Sequence, residues 1–352
     1  MNDFHFSKKD TQIAKGVAIL LMVYHHLFAY NRIPKTYIPL LPTVPLDLIS
    51  VLSKFGTICI SIFMLLTGIG FFYVSQALPF KKWRIQHFLR FLFHYWLIFL
   101  LFIPVGFLIF HRSFHWNEFF LNFFLLSDSY NMEWWYIRVY LELLLFSPWI
   151  IKYIRQSTIL SLSTTLIMSL IGYFLHESCF YVNPFIKELS TFLLWQLFFY
   201  LGFQIACHQF FHHLFQFVCK LNLNHLWFSF IILSFCIVVR QEPLIASKLK
   251  DPILAPLFLF FSVRMTKQLH LQKLIAYFGK HSLNIWLTHT FFCYYYLTNI
   301  VLLPHISILI FIWLLLLSLL SSHIINGIEE QLKKGLKKWK KKNIAPYEVS
   351  QL

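Results

Sequence analysis

The sequence predicts an all-α protein, a polytopic membrane helix bundle of about ten transmembrane helices with both termini cytoplasmic. Three observations carry this expectation. First, 58% of the 352 residues are hydrophobic and only 12% are charged, against about 25% charged in an ordinary soluble chain. Second, apolar runs of the length that crosses a bilayer, about 20 residues, recur from one end of the chain to the other. Third, the positive charge is gathered between and beyond these runs. The formal charge of +16 therefore does not mark a nucleic-acid partner: seven of the 30 Lys and Arg, from Lys333 to Lys342, lie in the last twenty residues. Disordered and water-soluble classes fit no better, given a mean hydropathy of +0.64.

Taken in order, the first span covers 13–30, behind Lys8, Lys9 and Asp10; it holds His25 and His26 and no small-residue cleavage site follows it, so it reads as a retained span rather than a signal peptide. A Pro-rich outer loop, 31–47, leads to spans at 48–76 and 87–110. The apolar segment 117–127 is too brief to cross and reads as re-entrant or interfacial. Spans at 134–154, 157–175 and 189–209 follow. The seventh and eighth, 225–240 and 251–266, are short or interrupted by Pro252 and Pro256. The last two cover 282–303 and 305–325, and a Lys-rich cytoplasmic tail occupies 331–352.

Orientation follows from the excess of Lys and Arg on cytoplasmic loops. With the N-terminus inside, that side collects Lys8, Lys9, Lys81, Lys82, Arg84, Lys152, Arg155, Lys220, Arg264 and Lys267, besides the tail. The other side carries fewer cations, among them Arg112, Arg240 and Lys250, with acids such as Asp128, Glu133, Glu188 and Asp251 nearby. Two inside termini require an even number of spans, in agreement with ten. The six cysteines form no CxxC pair, and the i,i+4 pairs His111/His115 and His208/His212 are too few ligands for a site, so no metal is expected. No internal repeat and no long loop is found, so any chemistry must occur among the helices.

Ionisable residues at membrane depth are costly and are functional candidates by default. The first span reads Lys15-Gly-Val-Ala-Ile-Leu-Leu-Met-Val-Tyr-His25-His26. Lys15 and His26 are about three turns apart on one helix face, roughly 16 Å along the axis. A cation at the membrane interface with an imidazole deep on the same face suits an anionic donor with a long reactive arm. A snorkelling lysine and a hydrogen-bonded histidine would explain either residue alone.

The run KGVAILLMVYHH resembles the first-helix motif of membrane acyltransferase family 3, a basic residue and a histidine with ten residues between them, His26 matching the family histidine. Three more segments resemble that family in the same order: Ser61 to Thr67-Gly68, the Trp135-Tyr136 run to Leu141, and Ser282-Leu-Asn284-Ile-Trp286-Leu-Thr288-His289. The family's arginine pair at the start of the third span is altered. Either His87 replaces the first arginine, with Arg90 as the second, or Arg84 supplies its charge.

The resemblance implies a membrane acyltransferase domain over 1–330 that transfers an acyl group, commonly acetyl from acetyl-CoA, to a hydroxyl of a cell-surface or exported polysaccharide such as capsule or exopolysaccharide. It also implies a multi-pass protein of a bacterial cytoplasmic membrane. Acyl-CoA, a glycan or lipid-linked glycan acceptor and the lipid bilayer are then the partners, with no nucleic acid. For this chemistry His26 is the candidate general base or the acylated nucleophile. His289 is placed to orient His26 or the thioester. Arg138 either pairs with Glu142 at i,i+4 or approaches the acceptor and the developing oxyanion. Trp134, Trp135 and Tyr136 read equally as a sugar platform or an interfacial belt. Lys15, Arg84 and Arg90 are the candidates for the phosphates of the donor. The competing expectation is a transporter or flippase of a lipid-linked glycan, which would explain buried polar groups without acyl transfer.

Overall fold

The computed structural model describes residues 6–29, 46–77, 79–223 and 225–343, without the side chains of 46–48, Cys179 and 337–343. The Pro-rich loop as far as residue 45 and the end of the tail, 344–352, lie outside the described residues.

Among the described residues the chain is helical and contains no strand. The helices are α1 (Lys8–Phe28), α2 (Leu46–Phe55), α3 (Ile58–Ala77), α4 (Phe80–Leu108), α5 (Trp116–Phe123), α6 (Trp135–Ile154) and α7 (Thr158–Glu177). They continue with α8 (Pro184–Cys207), α9 (Phe210–Lys220), α10 (Leu226–Gln241), α11 (Ser247–Gln268), α12 (Gln272–Thr290), α13 (Thr298–Leu302) and α14 (Ser307–Asn343). Every apolar run expected to span is occupied by helix. Among the described residues, five stretches are long and apolar enough to cross a membrane: Ile49–Ala77, Phe80–Leu108, Thr158–Glu177, Pro184–Cys207 and Ser307–Leu336. The other runs carry charges, histidines or prolines inside their helices, such as Asp10 and Lys15 in α1, and Pro252, Pro256 and Arg264 in α11.

Three expected boundaries shift. The second run breaks into α2 and α3 around Gly56-Thr57. The ninth does not continue as one helix: α12 ends at Thr290, a π-helical turn spans Phe291–Tyr296, and α13 follows. The last helix runs without a break through the start of the Lys-rich tail to Asn343. Each reflects backbone geometry that hydropathy alone does not register.

Local signals start and stop the helices. Ser7 and Asp10 form a reciprocal capping box at the head of α1. Asn183 caps α8, with Pro184 at its first position, where no backbone N–H is needed. The break before α3 leaves the last carbonyls of α2 inside the protein, where they need donors. His25 Nδ1–H donates to Ser53 O at 3.0 Å, and Arg240 Nη1 reaches Lys54 O and Phe55 O at 3.4 Å each.

Arg240 and Asp251, expected at the outer ends of the seventh and eighth spans, form a buried pair between α10 and α11, 6% and 1% exposed. The guanidinium donates through Nε and Nη2 to the two carboxylate oxygens at 2.7 and 3.0 Å. Ser61 of α3 donates to the same carboxylate at 3.0 Å. One charged group thereby ties three helices and the α2 terminus together.

Two helix pairs form the densest contacts, α1 with α12 and α3 with α8. Both rest on reciprocal glycines. A Cβ on Gly16 would strike the backbone carbonyl of Ile275, and one on Gly279 the carbonyl of Gln12. Likewise Gly68 faces Phe199 O, and Gly202 faces Leu65 O. Small residues let membrane helices approach closely, because lipid supplies no hydrophobic drive between them.

Gly279→Ala should lower stability by about 1–3 kcal/mol through forced separation of α1 and α12. Gly327→Ala, inside α14 with a Cβ that would meet nothing within 4 Å, should instead raise it by about 0.5–1 kcal/mol through helix propensity. Thermal unfolding of both in detergent checks the difference. Asp251→Asn should cost about 3–5 kcal/mol by leaving a buried guanidinium without its counter-charge, and a double Arg240→Met/Asp251→Leu variant should recover much of that loss.

Candidate active site

A cavity of about 490 Å³ opens between α1, α3, α4, α6 and α12, within the range that holds small-molecule ligands. Its walls are apolar, with Ile60, Phe63, Leu66 and Phe71 from α3 and Phe91 from α4. The polar groups contributed by α1 are spread along its length. Thr11 and Lys15 line the part near the start of the helix, and His25 and His26 the part near its end, beside Glu133. The face shared by Lys15 and His26 is thus the face turned to the cavity.

His26 is oriented from behind. The Tyr294 hydroxyl donates to the backbone carbonyl of His26 at 2.6 Å, so its oxygen accepts from His26 Nδ1–H at 3.0 Å. That assignment follows from the hydrogen-bond partners and leaves the lone pair of the neutral ring on Nε2. Nε2 lies 3.5 Å from Glu133 Oε2. Tyr294 sits in the π-helical turn after α12, where the wider turn changes which side chains face α1; such turns recur at functional sites.

Glu133 belongs to a short 3₁₀ turn, Met132–Trp134, ahead of α6. Asn131 caps this turn by accepting from Glu133 N–H at 3.2 Å, and its side-chain amide donates to Thr290 Oγ1 at 2.8 Å. Trp134 Nε1–H donates to Leu287 O at 3.2 Å. The carboxylate is therefore pinned to the end of α12, next to the π turn that holds Tyr294.

The expected site residues divide. His26 and Lys15 line the cavity together. His289 is fully buried behind it, its ring centroid 5.0 Å from that of His26. Its Nδ1–H points at the carbonyls of Ile285 and Trp286, each at 2.9 Å, and Nε2 has no hydrogen-bond partner among the described residues. Arg138 is not among the lining residues, and its ion pairs are not with Glu142. It joins Asp128 at 3.2 Å and Glu188 at 2.6 Å, tying α6 to α8 and to the segment before Glu133. Carboxylates brought in by another helix and by a loop thus take the place of the i,i+4 neighbour.

Arg84 and Arg90 also stand outside the lining. Arg84 donates to Leu145 O at 2.8 Å, and Arg90 is exposed. The ionisable α4 residue that lines the cavity, between Trp83 and Phe91, is His87, stacked on Trp83 at 4.8 Å and within 2.6 Å of the Tyr140 hydroxyl. Arg84 and Arg90, one turn to either side of it, do not line the cavity. His94 is engaged elsewhere, with Asn284 Oδ1 at 2.5 Å and Glu329 at 3.2 Å. Among the described residues, no group of three or more His, Cys, Asp and Glu side chains is arranged to hold a metal ion.

Glu133 and Tyr294 were not marked as site residues by the sequence. Glu133 was read only as an outer-loop acid, and Tyr294 is 268 positions from the histidine it orients. Nothing in local spacing points to either. The four segments singled out in the sequence nevertheless meet here. Thr67, Trp135, Tyr136, Ser282 and Trp286 all line the cavity with Lys15 and His26.

A family model described as an acyltransferase domain matches residues 10–327. No curated protein and no solved structure matches the chain. The match runs from the first turn of α1 into α14 and includes every residue of the cavity. On that extent the chain belongs to the acyltransferase 3 family, and the helical bundle described above is a membrane acyltransferase.

Proposed function

We propose that this acyltransferase moves an acetyl group from cytoplasmic acetyl-CoA to a hydroxyl of a cell-surface or exported polysaccharide, with His26 as general base. The observation that carries the reading is the single cavity lined by Lys15 at one part and His26 with Glu133 at another. Ten spans with both termini cytoplasmic would turn the Lys15 part toward the cytoplasm, where the donor is made.

In this mechanism the donor's phosphates stay near Lys15 at the cytoplasmic mouth, with Arg84 and Arg90 adding positive charge on the neighbouring α4. The thioester arm follows the apolar wall of α3 toward His26. The acceptor hydroxyl gives its proton to His26 Nε2 as its oxygen attacks the thioester carbonyl. The C–S bond then breaks, and the departing thiolate takes the proton back from Nε2, so that ester and free thiol are the products. Glu133, 3.5 Å from Nε2, stabilises the imidazolium between these steps. Tyr294 and His289 hold the ring, and Arg138 holds the segment that carries Glu133. Trp135, Tyr136 and Trp286 offer aromatic faces for a sugar ring.

In a deletion strain of the host, wild-type protein should restore O-acetyl signals in the NMR spectrum of the surface polysaccharide. His26→Ala, present in the membrane at the same level, should lower transfer by on the order of 10²- to 10⁴-fold. Equal restoration by both proteins would rule out His26 as the base. Lys15→Gln should raise the KM for acetyl-CoA by about 10- to 100-fold through loss of a charge-assisted phosphate contact. Its kcat at saturating donor should change far less, as steady-state kinetics with purified protein would show.

A further inference from the structure

Arg264 sits one turn before the C-terminal end of α11 and is 8% exposed. Its Nε, Nη1 and Nη2 are all buried and have no hydrogen-bond partner among the described residues. Its guanidinium carbon lies 5.8 Å from the centre of the Phe215 ring of α9. Beside it opens a second cavity of about 160 Å³, lined by Phe6, Phe215, Phe260, Val263, Arg264 and Lys267. None of these residues lines the active-site cavity. Lys267 pairs with Asp10 at 2.5 Å, which sets the second cavity at the end of the bundle where α1 begins.

An arginine side chain stays charged in a protein, and burying it without a counter-charge costs several kcal/mol. The same fold satisfies its other deeply buried arginine, Arg240, with both oxygens of Asp251. Arg264 has no such partner among the described residues, and its side chain forms part of a cavity wall instead. The fork matches the oxygens of a phosphate in a bidentate contact. The space is smaller than a typical ligand pocket and takes a head group rather than a whole cofactor. Phe6, Phe215 and Phe260 provide an apolar side for the carbon that a phosphate ester carries, and α9 next to it exposes Phe210, Phe217 and Leu221.

We propose that the Arg264 cavity is an anion site, separate from the acyl-transfer site, that binds a phosphate ester. The guanidinium holds its oxygens, the aromatic wall covers its carbon side, and occupation fastens α9 to α11. The ester belongs either to the head group of an anionic lipid or to a soluble phosphate compound. The site does not depend on the acyl-transfer mechanism.

The test is thermal unfolding of the full-length protein in uncharged detergent, titrated with inorganic phosphate, short-chain phosphatidylglycerol or, as control, short-chain diacylglycerol. We expect a saturable rise in Tm with a phosphate-bearing probe and none with the control. Arg264→Gln should weaken the apparent Kd by on the order of 10- to 100-fold, while its Tm without probe should not fall, since an unpaired buried charge is removed. Val263→Phe, which fills the cavity and leaves Arg264 in place, should abolish the response and covers the case in which Arg264→Gln does not fold. A response to inorganic phosphate assigns a soluble ligand, and a response to phosphatidylglycerol alone assigns a lipid head group. Absence of any saturable response in the wild type would overturn the proposal, as would an unchanged response in the folded variants.

Discussion

The contact between α1 and α12 is the one on which the active site depends. Gly16 and Gly279 let the two backbones meet, each occupying space that a Cβ would need. That closeness sets the His26 ring against His289 and brings the π turn near enough for Tyr294 to bond both the ring and the backbone of His26. The same end of α12 also anchors the Glu133 turn through Thr290 and Leu287. A shift between these helices would therefore disturb the His26 ring, its tautomer and the neighbouring Glu133 carboxylate together.

Around this contact the bundle follows the rule that polar groups away from water must find partners inside the protein. The interrupted helix α2–α3 is tolerated because His25 and Arg240 supply donors to its free carbonyls. Arg240 is held in turn by Asp251, and Asp251 by Ser61. His25 thus serves the scaffold with one nitrogen and still borders the cavity, while its neighbour His26 faces Glu133. Arg264 departs from the rule, and the departure coincides with a cavity.

Lys15 and His26 belong to the same face of α1 and line the same cavity, so the distance between them is fixed by helical rise rather than by loop conformation. Rigid elements position reacting groups more closely than loops do. Between Lys15 and His26 the cavity wall is apolar, formed by Ile60, Phe63 and Leu66 of α3.

By itself the sequence determined the helices, their order, and the shared face of Lys15 and His26. Those features depend on local hydrophobicity and on a periodicity that acts within one segment. Its four family-like segments also pointed correctly to the family, and the structure brings residues of each to one cavity. Tertiary structure alone decided which distant groups meet there. Glu133 and Tyr294 reach His26 through the α1–α12 packing and a turn whose extra residue changes which side chains face inward. His87 rather than Arg84 or Arg90 enters the cavity because of how α4 is rotated. Arg138 takes Asp128 and Glu188 in place of Glu142 because a loop and a second helix bring carboxylates to it. The reason is the same in each case: helix rotation and register are fixed by packing between segments far apart in the chain, and spacing within one segment carries no record of them.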